Sequence, residues 1–345
     1  MSALSHLTCW VVSDGRVGIE IQAAGLARAI GLDPVIKRLK ARAPWGSLPP
    51  RLWRKPLQHL DPAGDLLAPP WPDVLVGCGR LAVAPSTAVR AAADGATFTV
   101  QIQAPKVPLD RFDVVVVPRH DRVTAPNVIT TLGSMHGFDP KSITEARKHL
   151  PPAYTELPEP RIAVMLGGRS RVHKITLDNT ARLAGHLLAW ARDHGAGLMI
   201  TASRRTERET LALLRQELAG WPTVFWAGEG DNPYQGLLGL ADHFVVTADS
   251  VNMVTEAAAT GKPISVAPVK GGTRKFTRFH AAMAEAGITR PLTDELERWA
   301  YEPLRETTRV AAEIRERLLE RFPAPAEETS PEPPSRDIDL SRRAS

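Results

Sequence analysis

Apolar residues recur along the first part of the chain in short runs that are rich in valine, isoleucine and leucine. These runs cover residues 7–12, 23–30, 74–76, 97–102, 114–117 and 128–131, and they alternate with helical patterns. Strand-like and helix-like segments that alternate in this way are typical of βαβ units. The pattern therefore predicts a mostly parallel sheet.

A second alternating series follows residues 151–160, a segment with four prolines in ten residues. This proline content argues against a helix or a central strand and predicts a linker. Beyond it, strands are predicted at 161–166, 197–201, 223–226, 243–247 and 263–266, with helices near 176–193, 206–219, 233–240 and 251–260. The fold class predicted is α/β, with two doubly wound, Rossmann-like domains at 1–150 and 161–322.

The end of the chain changes character twice. Apolar residues at helical spacing, with charges between them, predict one amphipathic helix from Leu304, Val310, Ala311, Ile314 and Leu318. Residues 323–345 are rich in proline and polar residues, which predicts a disordered tail.

Composition narrows the class of protein. A length of 345 residues exceeds one comfortable core, which favours two domains. No apolar run approaches the roughly 20 residues that span a bilayer, and the first residues lack signal-peptide character, so a cytoplasmic location is expected. Cys9 and Cys78 lie in apolar runs and are expected as buried thiols. The net charge of +5 favours an anionic partner of unspecified class.

The most informative chemistry lies in residues 243–257, where a buried-strand pattern ends in polar residues that open a helix. Asp249 or Ser250 is predicted as the N-cap, and Met253 lies on the side that packs. The N–H groups of such a helix start would face an anion, most plausibly a pyrophosphate. Glu256 lies where a carboxylate would accept hydrogen bonds from ribose hydroxyls. An ordinary capped helix explains the segment equally well.

Two further turns in the same domain suit phosphate. The first carries two glycines, a cation and a hydroxyl at Gly167, Gly168, Arg169 and Ser170, so its backbone N–H groups and guanidinium could hold an anion. A solvated basic loop is the alternative.

The second turn combines hydroxyls with paired guanidinium groups at Thr201, Ser203, Arg204 and Arg205. Asn232, in the polar loop between these turns, could touch a base or a sugar, although a turn that starts the next helix explains it nearly as well.

In the first domain, Gly77-x-Gly79-x-x-Ala82 has the form of a dinucleotide fingerprint. The next strand ends in Gln101-Ile-Gln103 rather than in the acidic residue that would hold an adenosine ribose, so the match is incomplete. None of the three tyrosines is followed by lysine four residues later, which excludes the acid–base pair of short-chain epimerases.

Candidate catalytic groups follow two other first-domain runs. Asp14, in the glycine-containing turn at 12–22, could act as a base, and a turn with an N-capping aspartate is the alternative. His120, beside Asp121, is a candidate general base because histidine titrates near neutrality. A structural histidine is the more common case.

Residues 34–60 contain seven lysines or arginines and no acid, interleaved with tryptophan and leucine. Basic and aromatic residues together suit an anionic membrane surface, and a mobile, solvated loop is equally compatible. Nothing in the sequence matches a nucleic-acid recognition motif, so no nucleic-acid partner is expected.

An ordered set of motifs resembles the mitochondrial-fission elongated-mitochondria family between about residues 7 and 292. The motifs are Ser13-Asp-Gly-Arg-x-Gly, Gln22, Cys78-Gly-Arg, Gln103-x-Pro-Lys, Pro118-x-His-Asp, Gly167-Gly-x-Ser, Thr201-x-Ser-Arg-Arg-Thr, Asn232-Pro-Tyr and Thr247-Ala-Asp-Ser-x-x-Met-x-x-Glu-Ala. Ala104 stands where an acidic residue is expected in relatives. Bacterial relatives have been labelled nucleoside-diphosphate-sugar epimerases, and plant relatives are associated with the mitochondrial outer membrane and recruitment of a dynamin-related GTPase.

The family is in turn similar to GT-B glycosyltransferases. That resemblance implies two Rossmann-like domains around a cleft, nucleotide held by the second, acceptor held by the first, and a C-terminal helix that crosses back. The acceptor side then comprises Gly15, Gly18, Gln22, Gly79, Arg80, Gln103 and Asp121.

The leading hypothesis is a metal-independent glycosyltransferase-like protein that uses a nucleotide-sugar as substrate and needs no other cofactor. Asp14 or His120 would deprotonate the acceptor, and the second-domain cations would stabilise the leaving diphosphate. Two alternatives remain: a non-catalytic, membrane-associated adaptor, and a GT-B-fold nucleoside-diphosphate-sugar 2-epimerase.

Overall fold

The first of two parallel sheets is built from the N-terminal part of the chain. The structure is a computed structural model and describes residues 3–323. The strands of this sheet are β1 (Cys9–Ser13), β2 (Pro34–Arg38), β3 (Val74–Cys78), β4 (Phe98–Ile102), β5 (Val114–Pro118) and β6 (Val128–Thr131). They lie in the order β2-β1-β3-β4-β5-β6, and every neighbouring pair is parallel.

The second sheet repeats this architecture. The remaining strands are β7 (Arg161–Leu166), β8 (His173–Lys174), β9 (Gly197–Ala202), β10 (Thr223–Trp226), β11 (His243–Thr247), β12 (Ile264–Ala267), β13 (Lys270–Gly271) and β14 (Thr289–Pro291). Six of them form a parallel sheet in the order β10-β9-β7-β11-β12-β14, while β8 and β13 pair as a short antiparallel ribbon.

Helices cover the sheets and connect their strands. They are α1 (Val17–Ile30), α2 (Arg80–Ala92), α3 (Pro140–Lys148), α4 (Pro152–Thr155), α5 (Leu177–His194), α6 (Arg208–Glu217), α7 (Tyr234–Leu240), α8 (Val251–Ala258), α9 (Arg274–Glu285) and α10 (Glu306–Arg321). Local sequence explains several boundaries. Gly31 ends α1 in the left-handed conformation, and Thr176 and Ser250 cap α5 and α8 with their hydroxyls.

The two doubly wound sheets confirm the predicted fold class, whereas the prediction that residues 151–160 contain no helix is wrong. The segment at 151–160 contains the single-turn helix α4, which starts at a proline. Proline is tolerated there because the first N–H groups of a helix have no partner within it. The segment at 34–60 is not simply a loop, since it supplies the edge strand β2 and three 3-10 turns.

The C-terminal helix crosses back to the first sheet, as predicted. Val310, Ala311, Ile314 and Leu318 of α10 are buried in the same hydrophobic core as α1 and the first-sheet strands. Conversely, Ile143 of α3 is buried in the core of the second sheet. By packing, α3 therefore lies with the second sheet, although the sequence places it before the predicted linker.

The cysteines, the membrane spans and the C-terminal tail were also subjects of prediction. Cys9 and Cys78 are both buried and free of disulfides, as predicted, and burial raises the pKa of the Cys9 thiol to about 12. Within residues 3–323, no helix is long and apolar enough to cross a membrane. The tail predicted at 323–345 lies outside the described residues apart from Pro323.

Candidate functional site

Three turns meet at the carboxyl edge of the second sheet, because β9, β7 and β11 are neighbours there. The carboxylate of Asp249, after β11, is fully buried where they meet. It accepts hydrogen bonds from the Gly168 N–H at 2.9 Å and the Thr247 hydroxyl at 2.8 Å. The Arg205 guanidinium lies 3.1 Å from it. The structure thus brings the three predicted turns into one hydrogen-bonded cluster.

The backbone N–H groups of the first turn are not available to a phosphate, which corrects the expectation for Gly167 to Ser170. The Gly167 N–H donates to Thr247 Oγ1 at 2.8 Å and the Gly168 N–H to Asp249. The N–H groups of Arg169 and Ser170 donate to the carbonyls of Arg205 and His173, both at 3.0 Å. These four groups build the turn rather than a ligand cradle.

The two glycines of this turn are required by close packing. A Cβ on Gly167 would lie 2.2 Å from an Asp249 carboxylate oxygen, and one on Gly168 would lie 2.0 Å from the Arg205 carbonyl oxygen. Such distances are far below van der Waals contact, so only glycine fits at either position. Their presence is therefore explained without a bound phosphate.

The second turn divides into buried and exposed groups. Thr201 is 1% exposed, inside β9, so it cannot contact a ligand. Ser203 donates its hydroxyl to the Gly167 carbonyl at 2.7 Å. Arg204 and Arg205 are exposed, and the exposed Arg169 lies 3.5 Å from Glu207. The cations, rather than the hydroxyls, are the groups in this turn that can reach an anion.

Helix α8 begins at the interdomain cleft. Ser250 is its N-cap and accepts the Met253 N–H at 3.4 Å, so that N–H is already bonded. The N–H groups of Val251 and Asn252 come earlier in the first turn, where no carbonyl of the same helix is available. Both residues line a cavity of about 280 Å³ between the two sheets.

This interdomain cavity joins groups that are distant in sequence. From the first sheet it is lined by the predicted acceptor-side residues Gln22, Gln103 and Asp121 and by the catalytic candidate His120. Gln103 has a φ of 74°, a conformation that non-glycine residues adopt mainly at special sites. The second sheet contributes Val251, Asn252, Lys275 and Phe276, and sequence reasoning missed all four as site residues.

Two contacts bridge the cleft beside His120. The Lys275 ammonium lies 2.6 Å from Asp121 Oδ1, and the Arg278 guanidinium donates to the His120 carbonyl at 2.9 and 3.2 Å. Both cations belong to α9, a helix that the sequence pattern did not reveal. Of these two cations, Lys275 lines the cavity, where Asp121 pairs with it, and both cations tie α9 to the first domain.

His120 is buried and unprotonated at neutral pH. Burial lowers its pKa to about 4, against the opposing effect of Asp121. Its Nε2 lies 3.8 Å from Asp121 Oδ1, which is too far for a hydrogen bond. Its Nδ1 is buried without a partner among the described residues. The imidazole is thus a hydrogen-bonding group without a fixed partner, and Asp121 does not orient it.

The other catalytic candidate, Asp14, has a different environment. Its carboxylate pairs with the guanidinium of Arg16 through two hydrogen bonds, one of them 2.8 Å from Nε. Burial alone would raise the pKa of Asp14, but the hydrogen bonds from Arg16 outweigh it and lower the pKa. An ion-paired carboxylate with a lowered pKa is a poor proton acceptor, which argues against Asp14 as the base.

The remaining acceptor-side residues have structural surroundings. Gly15 and Gly79 have positive φ values of 76° and 78°, which favour glycine. A Cβ on Gly18 would lie 3.2 Å from Asn252 Nδ2, so this glycine lets α1 approach α8 closely. Arg80 donates to the carbonyls of Gly46 and Leu48.

Glu256 pairs with a tyrosine and does not line the interdomain cavity. The Tyr234 hydroxyl donates to Glu256 Oε2. The Asn232 side chain accepts the Tyr234 N–H at 3.0 Å in the turn just before α7. Burial raises the pKa of Glu256 to about 7, although the tyrosine hydrogen bond opposes this shift. Its other oxygen, Oε1, has no hydrogen-bond partner among the described residues and remains for a further partner.

The basic segment at 34–60 buries most of its aromatic surface. Trp53 is only 9% exposed, and Trp45 stacks on His59 with ring centroids 3.8 Å apart. Leu52, however, is 52% exposed. The segment therefore presents cations and one leucine to solvent rather than a row of tryptophans.

Comparison with known proteins identifies the family. The model of the mitochondrial fission ELM1 family matches residues 17–318. The chain belongs to this family. The mitochondrial fission protein ELM1 of Arabidopsis thaliana is 31% identical over 277 residues, which cover 72% of this chain and 65% of the plant protein. The chain thus spans less than two thirds of that ELM1 relative. An uncharacterized protein of Rickettsia prowazekii is 23% identical, with 90% of this chain and 98% of that protein covered.

Solved structures show that this member of the ELM1 family has a GT-B-like fold. The UDP-GlcNAc 2-epimerase of Methanocaldococcus jannaschii superposes with a TM-score of 0.55 at 11% identity, covering 90% of this chain and 99% of that one. The UDP-GlcNAc 2-epimerase of Neisseria meningitidis, solved with bound UDP-GlcNAc, gives a TM-score of 0.50 at 12% identity, covering 91% and 100%.

Proposed function

We propose that the protein binds a nucleotide-sugar, most simply a UDP-sugar, at the carboxyl edge of the second sheet and transfers the sugar to an acceptor in the interdomain cleft. One observation carries the proposal. The start of α8 opens into a cavity whose walls supply what sugar transfer needs: the first-turn N–H groups of α8 on one side and the His120 imidazole on the other. The fold neighbours that bind UDP-GlcNAc support the choice of ligand.

The donor would lie along α8. Its diphosphate would meet the first-turn N–H groups of Val251 and Asn252 and the exposed cations Arg204 and Arg205. Glu256 with Tyr234 would mark the nucleoside end, because the free carboxylate oxygen can accept a ribose hydroxyl. Asp249 would not touch the donor; it would hold the three turns in place.

The transfer step needs a proton acceptor for the incoming hydroxyl. The acceptor oxygen would attack the anomeric carbon while the bond from that carbon to the diphosphate breaks, and its proton would pass to the neutral imidazole of His120. The electron pair of the broken bond stays on the diphosphate, where the helix start and cations stabilise it. The low pKa of His120 makes it a weak base, so most of the rate enhancement would come from leaving-group stabilisation.

Calorimetric titration with UDP-, GDP-, CMP- and ADP-sugars tests the donor site. One nucleotide class should bind, and Arg204→Gln should weaken it about tenfold, since a hydrogen bond between charged groups is removed. Arg204 is exposed and, unlike Arg205, lies outside the hydrogen-bonded cluster around Asp249. Arg182→Gln is the matched control, because it removes an exposed arginine that pairs with Asp178 on α5. A folded protein that binds none of the four classes would falsify the proposal.

Incubation of the bound nucleotide-sugar without an acceptor separates transfer from epimerisation. A transferase releases no epimer, whereas a 2-epimerase converts the donor alone. If the C2 epimer appears in the proton NMR spectrum, the site is that of a 2-epimerase and the transferase proposal is wrong.

A second candidate is a membrane-associated adaptor of the kind that the family name implies. It is favoured by the exposed cations of the 34–60 segment around the exposed Leu52. Sedimentation with anionic liposomes should then be lost on charge reversal of Lys40, Arg54 and Lys55. Binding that survives this change would remove the segment as the attachment site.

A further inference from the structure

A second cavity, distinct from the one at α8, lies between the basic segment and the second domain. It measures about 570 Å³, and four cationic side chains line it: Arg51, Arg80, Lys106 and Arg171. Its other lining residues, Ser47, Pro49 and Pro50, are neutral. No acid lines this cavity to balance its charge.

The four cations come from four separate parts of the chain. Arg51 lies in a 3-10 turn of the basic segment, Arg80 is the first residue of α2, and Lys106 follows β4. Arg171 belongs to the loop before the β8 ribbon in the second domain. The fold therefore brings like charges together across the domain boundary rather than along one surface helix.

Most of these side chains have their hydrogen-bonding capacity unused. Among residues 3–323, the side chains of Arg51, Lys106 and Arg171 make no hydrogen bond or ion pair. Arg80 differs from the other three, because its guanidinium donates to the carbonyls of Gly46 and Leu48. These two hydrogen bonds hold the guanidinium at the wall of the cavity and leave its remaining N–H groups for a ligand. Lys106 also has a φ of 57°, a costly conformation for lysine.

Unpaired like charges around one concavity repel each other and attract a multivalent anion. Arginine presents a planar set of donors that matches phosphate, and lysine adds a compact charge. A phosphomonoester carries close to two negative charges at neutral pH. It therefore complements the four cations better than a single carboxylate does.

We propose that this cavity is a phosphate subsite that recognises a phosphomonoester group on the acceptor. The assignment to an acceptor rests on the proposed transferase function, whereas the binding of phosphate does not. The cavity and the α8 site share no lining residue, so a nucleotide diphosphate and a phosphomonoester would bind together.

Calorimetric titration of the full chain with inorganic phosphate, with and without saturating UDP, tests the subsite. Phosphate should bind in both cases, and Arg51→Gln and Arg171→Gln should each weaken it about tenfold. Lys141→Gln, which removes an exposed cation of α3 outside this cavity, should leave binding unchanged. Equal binding by all variants, or displacement of phosphate by UDP, would overturn the inference.

A second experiment distinguishes a lipid headgroup from a soluble phosphomonoester as the source of the phosphate. Phosphatidylcholine vesicles with and without phosphatidic acid are sedimented with the wild type, Arg51→Gln and Arg171→Gln. Capture that requires phosphatidic acid and both arginines assigns the group to a lipid headgroup. Binding of inorganic phosphate without capture assigns it to a soluble phosphomonoester, and absence of both overturns the subsite.

The two proposals fail separately. If UDP-sugars bind and phosphate does not, the subsite is wrong and the donor site stands. If phosphate binds and no nucleotide-sugar does, the donor site is wrong and the cavity remains an anion site. The side chains of Arg51 and Arg171 are exposed and make no hydrogen bond or ion pair within residues 3–323, so their variants are expected to fold.

Discussion

At the scale of single residues, Asp249 carries the organisation of the carboxyl edge. Its buried carboxylate is the shared acceptor for Gly168, Thr247 and Arg205. Asp249→Ala leaves two buried donors without a partner, and each such orphan costs about 1–3 kcal/mol. Urea denaturation should show a loss of about 3 kcal/mol in the free energy of unfolding.

The control for this change is Asp178→Ala. Asp178 pairs with Arg182 at 3.0 Å on the exposed face of α5, and exposed pairs contribute little. Its unfolding free energy should stay within about 0.5 kcal/mol of the wild type. Equal losses in the two variants would contradict the organising role of Asp249.

Two glycines offer a second comparison. Gly168→Ala should destabilise the protein by about 1–3 kcal/mol or more, because the new Cβ meets a backbone carbonyl that cannot move aside. Gly185→Ala, in the exposed interior of α5 with open space around it, should instead stabilise by about 0.5–1 kcal/mol. Thermal denaturation of both variants measures the contrast, and a neutral Gly168→Ala would disprove the packing argument.

The Glu256–Tyr234 pair predicts a dependence of stability on pH. Burial raises the folded-state pKa of Glu256 to about 7 from an ordinary value near 4.5, so the folded state binds the proton more tightly than the unfolded chain. This contribution is complete below about pH 4.5 and is lost as the pH rises towards 7. A shift of this size corresponds to roughly 3 kcal/mol, since one pKa unit is about 1.4 kcal/mol.

Glu256→Gln should remove that pH-dependent part of stability. Denaturant unfolding at pH 5 and pH 7 measures it as the difference between the two proteins. Tyr234→Phe removes the hydrogen bond that opposes the shift and should extend the loss to higher pH. An unchanged slope in Glu256→Gln would show that another group titrates.

At this scale the sequence identifies candidate site residues but not the hydrogen-bond partner of each one. The pattern identified Ser250 as one of two possible caps, because capping depends on local chain geometry. It also identified the glycines of the 167–170 turn. It could not show that their N–H groups are already bonded to Thr247 and Asp249, about 80 residues away.

At the scale of elements, strands with apolar or β-branched runs were predictable, including the edge strand β10, whereas elements with mixed patterns were not. The strand at Arg161–Leu166 was predicted to the residue, since strands buried on both faces read as continuous apolar runs. The edge strand β2 has a mixed pattern with Lys37 and Arg38, typical of an exposed sheet edge. Helix α9 was not predicted from the sequence, because its first turn is basic and only Phe279 and Met283 are buried.

Helix α10 provides the test at this scale. Ile314 is fully buried in the core of the first sheet, so Ile314→Ala should cost about 2–5 kcal/mol. Amide hydrogen exchange should accelerate in β1 and β3 and not in β9, because the damage falls on the first sheet. Glu316→Ala, on the exposed face, is the control. Faster exchange confined to the second sheet would contradict the crossover.

At the scale of the whole molecule, α9 ties the second domain to the first across the cleft. Its Lys275 and Arg278 reach Asp121 and the His120 carbonyl across the cleft. The double variant Lys275→Met with Arg278→Met should open the cleft and increase the radius of gyration in small-angle scattering. Lys148→Met, whose partner Glu145 lies on the same helix, should leave it unchanged. Identical scattering from both variants would refute the bridge.

The position of α10 also bears on how the chain acquires its structure during synthesis. Leu4 and Leu318 belong to one hydrophobic core, so the ribosome must translate more than 300 residues before that core can close. The second sheet, whose strands lie between Arg161 and Pro291, is complete earlier. Vectorial folding would therefore finish the later-encoded half first, and the nascent first sheet would wait with an open apolar face, a period in which chaperones would be expected to bind.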